Sequence, residues 1–394
     1  MKALYLFGIL AASLALTDGV MFCYYESWAA YAPYGGEFHT NDIDPHLCTH
    51  LFYAFAGINP ETYEVKILDP YTDLCIEGGL CGFENFTALK QENPDLKTLL
   101  SIGGWTEGSE TYSTMAGDKG YREAFVASSV SLIQQYGFDG LDLDWEYPTQ
   151  RGGVPEDKEN FVTLLNELKA GLQEDGLLLT IAVSAGKYTI DESYDIPGIS
   201  AVVDFVNLMT YDFHGSWEPF THANSPLFAH PDDADHGLEF LNVDFAVQYW
   251  IDGGCPPVKL VMGIPVYGRT YTLEDPSQTG FFAPTSLPGI PGVYTNESGL
   301  MGYHELCFSQ ILSDEWVIVH DETMNEPYAY ILSQNNLWVS YDDPDSVRLK
   351  AAYARDQGLA GCMVWSMDTD DFAGACGRPY DIINSITEEF HLKK

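Results

Sequence analysis

Basic residues are scarce in this chain. Lys and Arg number 18 against 58 Asp and Glu, a formal net charge of -40 over 394 residues. So acidic a surface repels phosphate backbones and anionic headgroups. That argues against nucleic acid, an anionic membrane or a polyanion as the main partner and leaves a neutral or cationic one. The eight cysteines include no C-x-x-C pair, so the spacing of a structural zinc site is missing. Neither a metal nor a cofactor is expected. There is no low-complexity tract, no repeat at a solenoid period, and no Ser/Thr/Pro linker leading to a cysteine-rich module. Beyond residue 16, no run is long and apolar enough to cross a bilayer.

The exception, residues 3–16, follows Met1-Lys2 and ends at Thr17-Asp18-Gly19. A short basic start and a short apolar core read as a signal peptide over 1–19. A secreted, extracellular, soluble protein is expected, and a monomer. Export makes disulfides probable chemistry for the cysteines, whose scatter reinforces a fold rather than building one. Asn85-Phe86-Thr87 and Asn296-Glu297-Ser298 have the form of glycosylation acceptors.

Apolar segments of strand character recur at 21–28, 50–58, 96–105, 138–147, 177–185, 205–212, 259–268 and 358–367. Most are nearly continuous apolar runs, as parallel strands covered on both faces require. Amphipathic helical patterns lie between several of them, at 121–136, 159–172, 345–357 and 380–390. Strand and helix alternating eight times predict a (β/α)8 TIM barrel over 20–394. Residues 270–340 are too long for a simple connection and contain strand-like segments. They read as a small inserted α+β subdomain after strand seven.

The chemistry centres on the fourth strand. Asp142, Asp144 and Glu146 alternate with Leu141, Leu143 and Trp145, so the carboxylates share one face and the apolar residues the other. Like charges in file are a poor structural device. A solvated edge strand is the bland alternative, and the apolar face argues against it. A metal site is the weaker alternative, because hard cations are usually wrapped by loops. In a parallel barrel the active site lies at the C-terminal strand ends. There the chain places Tyr24 to Trp28, Ser101 to Trp105, Asp144 to Tyr147, Met209 to Asp212, Tyr267 to Arg269 and Trp365 to Asp368. Carboxylates inside a ring of Trp and Tyr suit a sugar, with rings stacking on pyranose faces and acids moving protons. Coupled carboxyls can keep Glu146 protonated as a general acid. A separate nucleophile is harder to find, and Asp212 is the candidate.

These residues resemble glycoside hydrolase family 18, the chitinases, and among them the secreted animal chitinases and chitinase-like proteins. Asp139-x-x-Asp142-x-Asp144-x-Glu146 looks like the family's acidic signature. Ser101-Ile102-Gly103-Gly104-Trp105, Met209-Thr210-Tyr211-Asp212 and Met363-Val364-Trp365 look like its other strand motifs. The resemblance implies a retaining, substrate-assisted mechanism in which the 2-acetamido group of the sugar is the nucleophile. Glu146 would be general acid and base, with Asp144 orienting the acetamide and Asp142 sharing its proton. Tyr211 and Asp212 would contact the sugar at the scissile bond. Chitin and N-acetylglucosamine oligosaccharides would lie against Tyr24, Trp28, Phe55, Gly104, Trp105, Tyr147, Met209, Trp217, Tyr267, Arg269 and Trp365. The resemblance also suggests bridges Cys23–Cys48 and Cys307–Cys376; Cys75 and Cys81 could close a local loop, which would leave Cys255 and Cys362 as neighbours, and the pairing of these four stays open. Two other functions compete: a non-catalytic chitin-binding lectin or signalling protein, and an endo-β-N-acetylglucosaminidase. The intact acidic row favours catalysis.

Overall fold

The structure is a computed structural model that describes residues 19–390. The expected signal peptide lies outside the described residues, save for Gly19.

Eight parallel strands form the barrel: β1 (Val20–Glu26), β2 (His50–Ile58), β3 (Lys97–Gly103), β4 (Gly140–Asp144), β5 (Leu178–Ser184), β6 (Phe205–Met209), β7 (Leu260–Pro265) and β8 (Gly361–Trp365). They pair in sequence order, and β1 pairs with both β2 and β8, which closes the ring. Alternation sorts the side chains. Leu141, Leu143 and Trp145 face out into the large cluster beneath the helices, joined there by Phe161, Leu164, Leu165 and Leu168. Phe22, Tyr24, Phe52, Leu99, Ala182, Val261 and Met363 form a second cluster with Met209 and Phe55 on the inner side. Into that same interior β4 sends Asp142 and Asp144.

The seventh strand ends earlier than its apolar pattern indicates. β7 stops at Pro265; Val266 N donates to Trp365 O, and Val266 O accepts from Tyr303 N. The next segment, Tyr267–Leu273, belongs to a second, antiparallel sheet. Its strands run in the order Thr285–Pro288, Tyr267–Leu273, Leu337–Ser340, Glu326–Ile331 and Val317–Asp321, with Leu300–Gly302 also on Tyr267–Leu273. Tyr271, Leu273, Ala283 and Trp338 make its small core. Tyr267 and Arg269 thus come from this second sheet rather than from a barrel strand.

Disulfides join Cys23 to Cys48, Cys75 to Cys81 and Cys307 to Cys376, while Cys255 and Cys362 are free and buried. The two acceptor asparagines differ. Asn296 is exposed, whereas Asn85 is half-buried and its Nδ2 donates to Leu80 O. Among the described residues no helix is long and apolar enough to cross a membrane.

Candidate active site

Asp142 is completely buried, and four donors converge on it. Tyr24 Oη (2.9 Å) and Ser101 Oγ (2.7 Å) donate to Oδ2; Thr180 Oγ1 (2.7 Å) and Asn207 Nδ2 (3.2 Å) donate to Oδ1. Burial pushes its pKa up, and the hydrogen bonds pull against that. One step along the strand, Asp144 has no such support. Its Oδ1 is buried without a hydrogen-bond partner among the described residues. Burial, then the charges of Glu146 and Asp142, raise its pKa well above the carboxylate range. Glu146 stands just past the strand end, 9 % exposed. Burial and the charge of Asp212 raise it to about 7, against a hydrogen bond from Tyr147 and the charge of Arg151. The row is therefore graded. Its inner member accepts four hydrogen bonds, the next has an unpartnered oxygen, and burial raises the proton affinity of all three.

The far wall is built from β6 and the second sheet. Asp212 has φ of +56°, a left-handed conformation uncommon outside glycine. Its Oδ1 accepts from Tyr267 Oη (2.8 Å) and from Arg269 Nε and Nη2 (both 2.7 Å). Tyr211 is half-buried, its hydroxyl 3.9 Å from Met363 Sδ. Burial first, then nearby anions and phenols, keep Tyr211 protonated and so available as a donor.

Aromatic rings make the floor and the rims. Trp365 stacks on Phe55 with centroids 5.6 Å apart, and Phe55 on Trp28 at 5.9 Å, each at 21°. Tyr24 lies 5.4 Å from Trp365. Trp105 and Trp217 are both 59 % exposed and stand as opposite rims. Arg151 covers the Trp105 ring at 3.6 Å, and Arg269 lies 5.3 Å from Trp217. The glycines beside Trp105 are there for want of space. A Cβ on Gly103, at φ +125°, would lie 2.0 Å from Asp144 O, and one on Gly104 2.7 Å from the Phe55 ring. The absence of side chains lets β3 come close enough for Gly104 N to donate to Asp144 O at 2.9 Å. Peptides 54–55, 146–147 and 365–366 are cis.

The candidate sugar-site residues named from the sequence lie in the barrel interior below this mouth or around it. Tyr147 and Met209 complete it from the inner cluster. The structure adds three that sequence reasoning missed. Thr180 and Asn207 are polar residues at inward positions of apolar strands, a signal that could have been read from alternation alone. Arg151 sits in the turn after the acidic strand; its Nη1 donates to Glu146 O (2.9 Å) and Trp105 O (2.7 Å). Nothing in the local sequence marks it. Among the described residues the one cluster with metal-like proximity is Cys307, Asp371 and Cys376, and its two cysteines are bonded to each other.

A buried file of acids, a neutral phenol and a stacked indole floor at the mouth of a barrel define a class: proteins that hydrolyse glycosides by acid–base catalysis. Comparison with known sequences makes the class specific. The chain belongs to the glycosyl hydrolases family 18, whose model matches residues 20–370. It is 45 % identical to probable chitinase 2 of Drosophila melanogaster, over 92 % of this chain and 74 % of that one. The solved Group IV chitinase of Ostrinia furnacalis, in complex with allosamidin, superposes with a TM-score of 0.90 at 45 % identity, covering 94 % of this chain and 98 % of that one. Human YKL-39, a pseudo-chitinase with retained chitooligosaccharide binding, also superposes, with a TM-score of 0.85 at 36 % identity over 95 % of this chain and all of that one. The protein is a glycoside hydrolase of the chitinase type.

Proposed function

We propose that this chain is a secreted chitinase that cleaves β-1,4-linked N-acetylglucosamine with retention, using the acetamido group of the substrate as nucleophile. The observation that carries the reading is Asp144 Oδ1, a buried acceptor with no partner among the described residues, next to a carboxyl raised to about 7. Leaving such an oxygen unsatisfied costs about 1–3 kcal/mol. An amide N–H on the bound sugar is the donor that fits.

The proposed steps use these positions. Glu146 gives its proton to the glycosidic oxygen as that bond breaks. The acetamido oxygen forms a bond to the anomeric carbon from the opposite face, giving an oxazolinium ion. Asp144 accepts the acetamide N–H and balances its positive charge, while Tyr211 donates to the acetamido oxygen. Glu146, now ionised, takes a proton from a water that attacks the anomeric carbon. The oxazolinium opens, and the configuration is retained. Trp365 supports the distorted sugar from below, and Asp212 meets its hydroxyls from the side. The three disulfides accord with export.

Turnover of a fluorogenic chitobioside by wild type and Glu146→Gln tests the reading. Wild type is expected to release the fluorophore and the variant to lose at least a thousandfold while still binding chito-oligosaccharides. Proton NMR of the first-formed product should show the β-anomer. Wild type no faster than the variant would leave a binding protein in place of an enzyme, and an α-anomer would refute the acetamido route.

A further inference from the structure

Two residues outside the cleft grip its far edge. Asn224 and Ser225 are fully buried. Asn224 Oδ1 accepts from Asp212 N at 3.0 Å, and Asn224 O accepts from Phe213 N at 3.1 Å. Asn224 Nδ2 donates to Tyr267 O at 3.3 Å. Ser225 Oγ donates to Thr210 O at 2.6 Å. The segment 210–213, which carries Tyr211 and Asp212, is held on both sides of its left-handed residue. That conformation persists only where the surroundings over-determine it. The same asparagine holds Tyr267, whose hydroxyl donates to Asp212.

Asn224 is itself fixed by a buried ionic cluster. Its N–H is shared between Glu326 Oε1 (3.1 Å) and Ser340 Oγ (2.5 Å). Ser225 N donates to Glu326 Oε2 at 2.7 Å. Lys350 Nζ donates to Ser225 Oγ (3.0 Å) and Asp342 Oδ2 (2.5 Å) and stands 3.8 Å from Glu326 Oε2. A buried cluster of this kind adds little net stability, because desolvation offsets the attraction. Its effect is on geometry. Glu326 and Ser340 belong to the second sheet and Lys350 to the helix Pro344–Asp356, so the inserted sheet reaches the cleft through Asn224.

We propose that Asn224 is a positioning residue for hydrolysis, holding Asp212 and Tyr267 against the reacting sugar, and that the Glu326–Lys350 cluster holds Asn224. This rests on the chitinase reading. Glu146 has Asp144, Asp212, Arg151, Tyr147, Tyr194 and Tyr211 as its electrostatic neighbours, and Asp212 in turn faces Arg269, Tyr267 and Tyr211. Moving Asp212 therefore alters how firmly Glu146 keeps its proton, although Asn224 touches neither Glu146 nor the cleft floor.

The test is a double-mutant cycle of Asn224→Ala and Asp212→Asn, followed as kcat/KM for a fluorogenic chitobioside across pH. In the wild-type background Asn224→Ala is expected to lower kcat/KM about tenfold or more, mainly through kcat, since small misplacements of reacting groups are costly. It should also move the basic limb of the profile to lower pH, because the anion that raises Glu146 is displaced. In the Asp212→Asn background the same change should cost less than about twofold. Equal losses in both backgrounds with an unmoved limb would mean a purely structural residue and overturn the proposal. If Asn224→Ala does not fold, Ser340→Ala enters the same cycle. It removes one of the two acceptors of Asn224 N, so a smaller loss with the same non-additivity is expected, and additivity again overturns the proposal. A wild type without turnover overturns the chitinase reading and this one together. An active wild type with an additive cycle overturns this one alone.

Discussion

Glu146 should make the protein less stable as well as active, and the same titration should be readable in both. Its pKa is 4.5 in an ordinary environment and about 7 in the fold. The folded state therefore binds the proton more tightly than the unfolded chain. For a carboxyl raised on folding, stability is complete below about pH 4.5 and is lost as pH climbs toward 7. The loss saturates near 3 kcal/mol, at about 1.4 kcal/mol for each tenfold change in proton affinity. For a chain of 394 residues the unfolding entropy is roughly 0.8 kcal/mol/K, so 3 kcal/mol corresponds to about 4 °C in Tm. Glu146→Gln is uncharged at every pH and lacks this slope. Wild type and variant are expected to melt together near pH 4.5 and to diverge until the variant is about 4 °C more stable above pH 7. Scanning fluorimetry in matched buffers at constant ionic strength reads the difference. The basic limb of wild-type kcat/KM should fall in the same window, because both curves report the proton on Glu146. Two parallel melting curves, separated by a constant at every pH, would refute the assignment of that proton to Glu146.

Two further outcomes follow from single contacts. Arg151→Ala removes the cation that holds Glu146 down, so the basic limb should move to higher pH; an unmoved limb would contradict the placement. Gly103→Ala should abolish soluble expression or lower Tm severely, because its Cβ would fall 2.0 Å from Asp144 O, whereas Gly117→Ala, with its nearest neighbour at 3.9 Å, should stay within about 1 kcal/mol of wild type by chemical denaturation.

The barrel and its acid row were legible because both are written in short periods. Alternation along 138–148 separates the carboxylates from Leu141, Leu143 and Trp145, and continuous apolar runs mark strands covered on two faces. The aromatic residues at the strand ends were legible for a similar reason, since a parallel barrel sends every C-terminal strand end to one mouth. What is missing from the sequence is whatever depends on approach between distant segments. Tyr24 meets Asp142 across 118 residues, and Asn224 reaches Ser340 across 116. The handover at Val266 was hidden because Tyr267 to Leu273 carries the same apolar pattern whichever sheet it joins. Arg151 was hidden because its importance lies in a turn that folds it back over Trp105.

The two sides of the cleft act on Glu146 in opposite senses. Asp212 raises its proton affinity from the far wall, and Arg151 lowers it from the near one. Asp212 is not a free charge, since Tyr267 and Arg269 both donate to its Oδ1. A sugar hydroxyl that took over either bond would alter the field at Glu146 at the moment the substrate arrives. Asp142, by contrast, is buffered against such changes by four donors from four different strands. The row of acids thus has a fixed end and an adjustable end. On the proposed mechanism, the adjustable end would let binding at Asp212 set when Glu146 releases its proton.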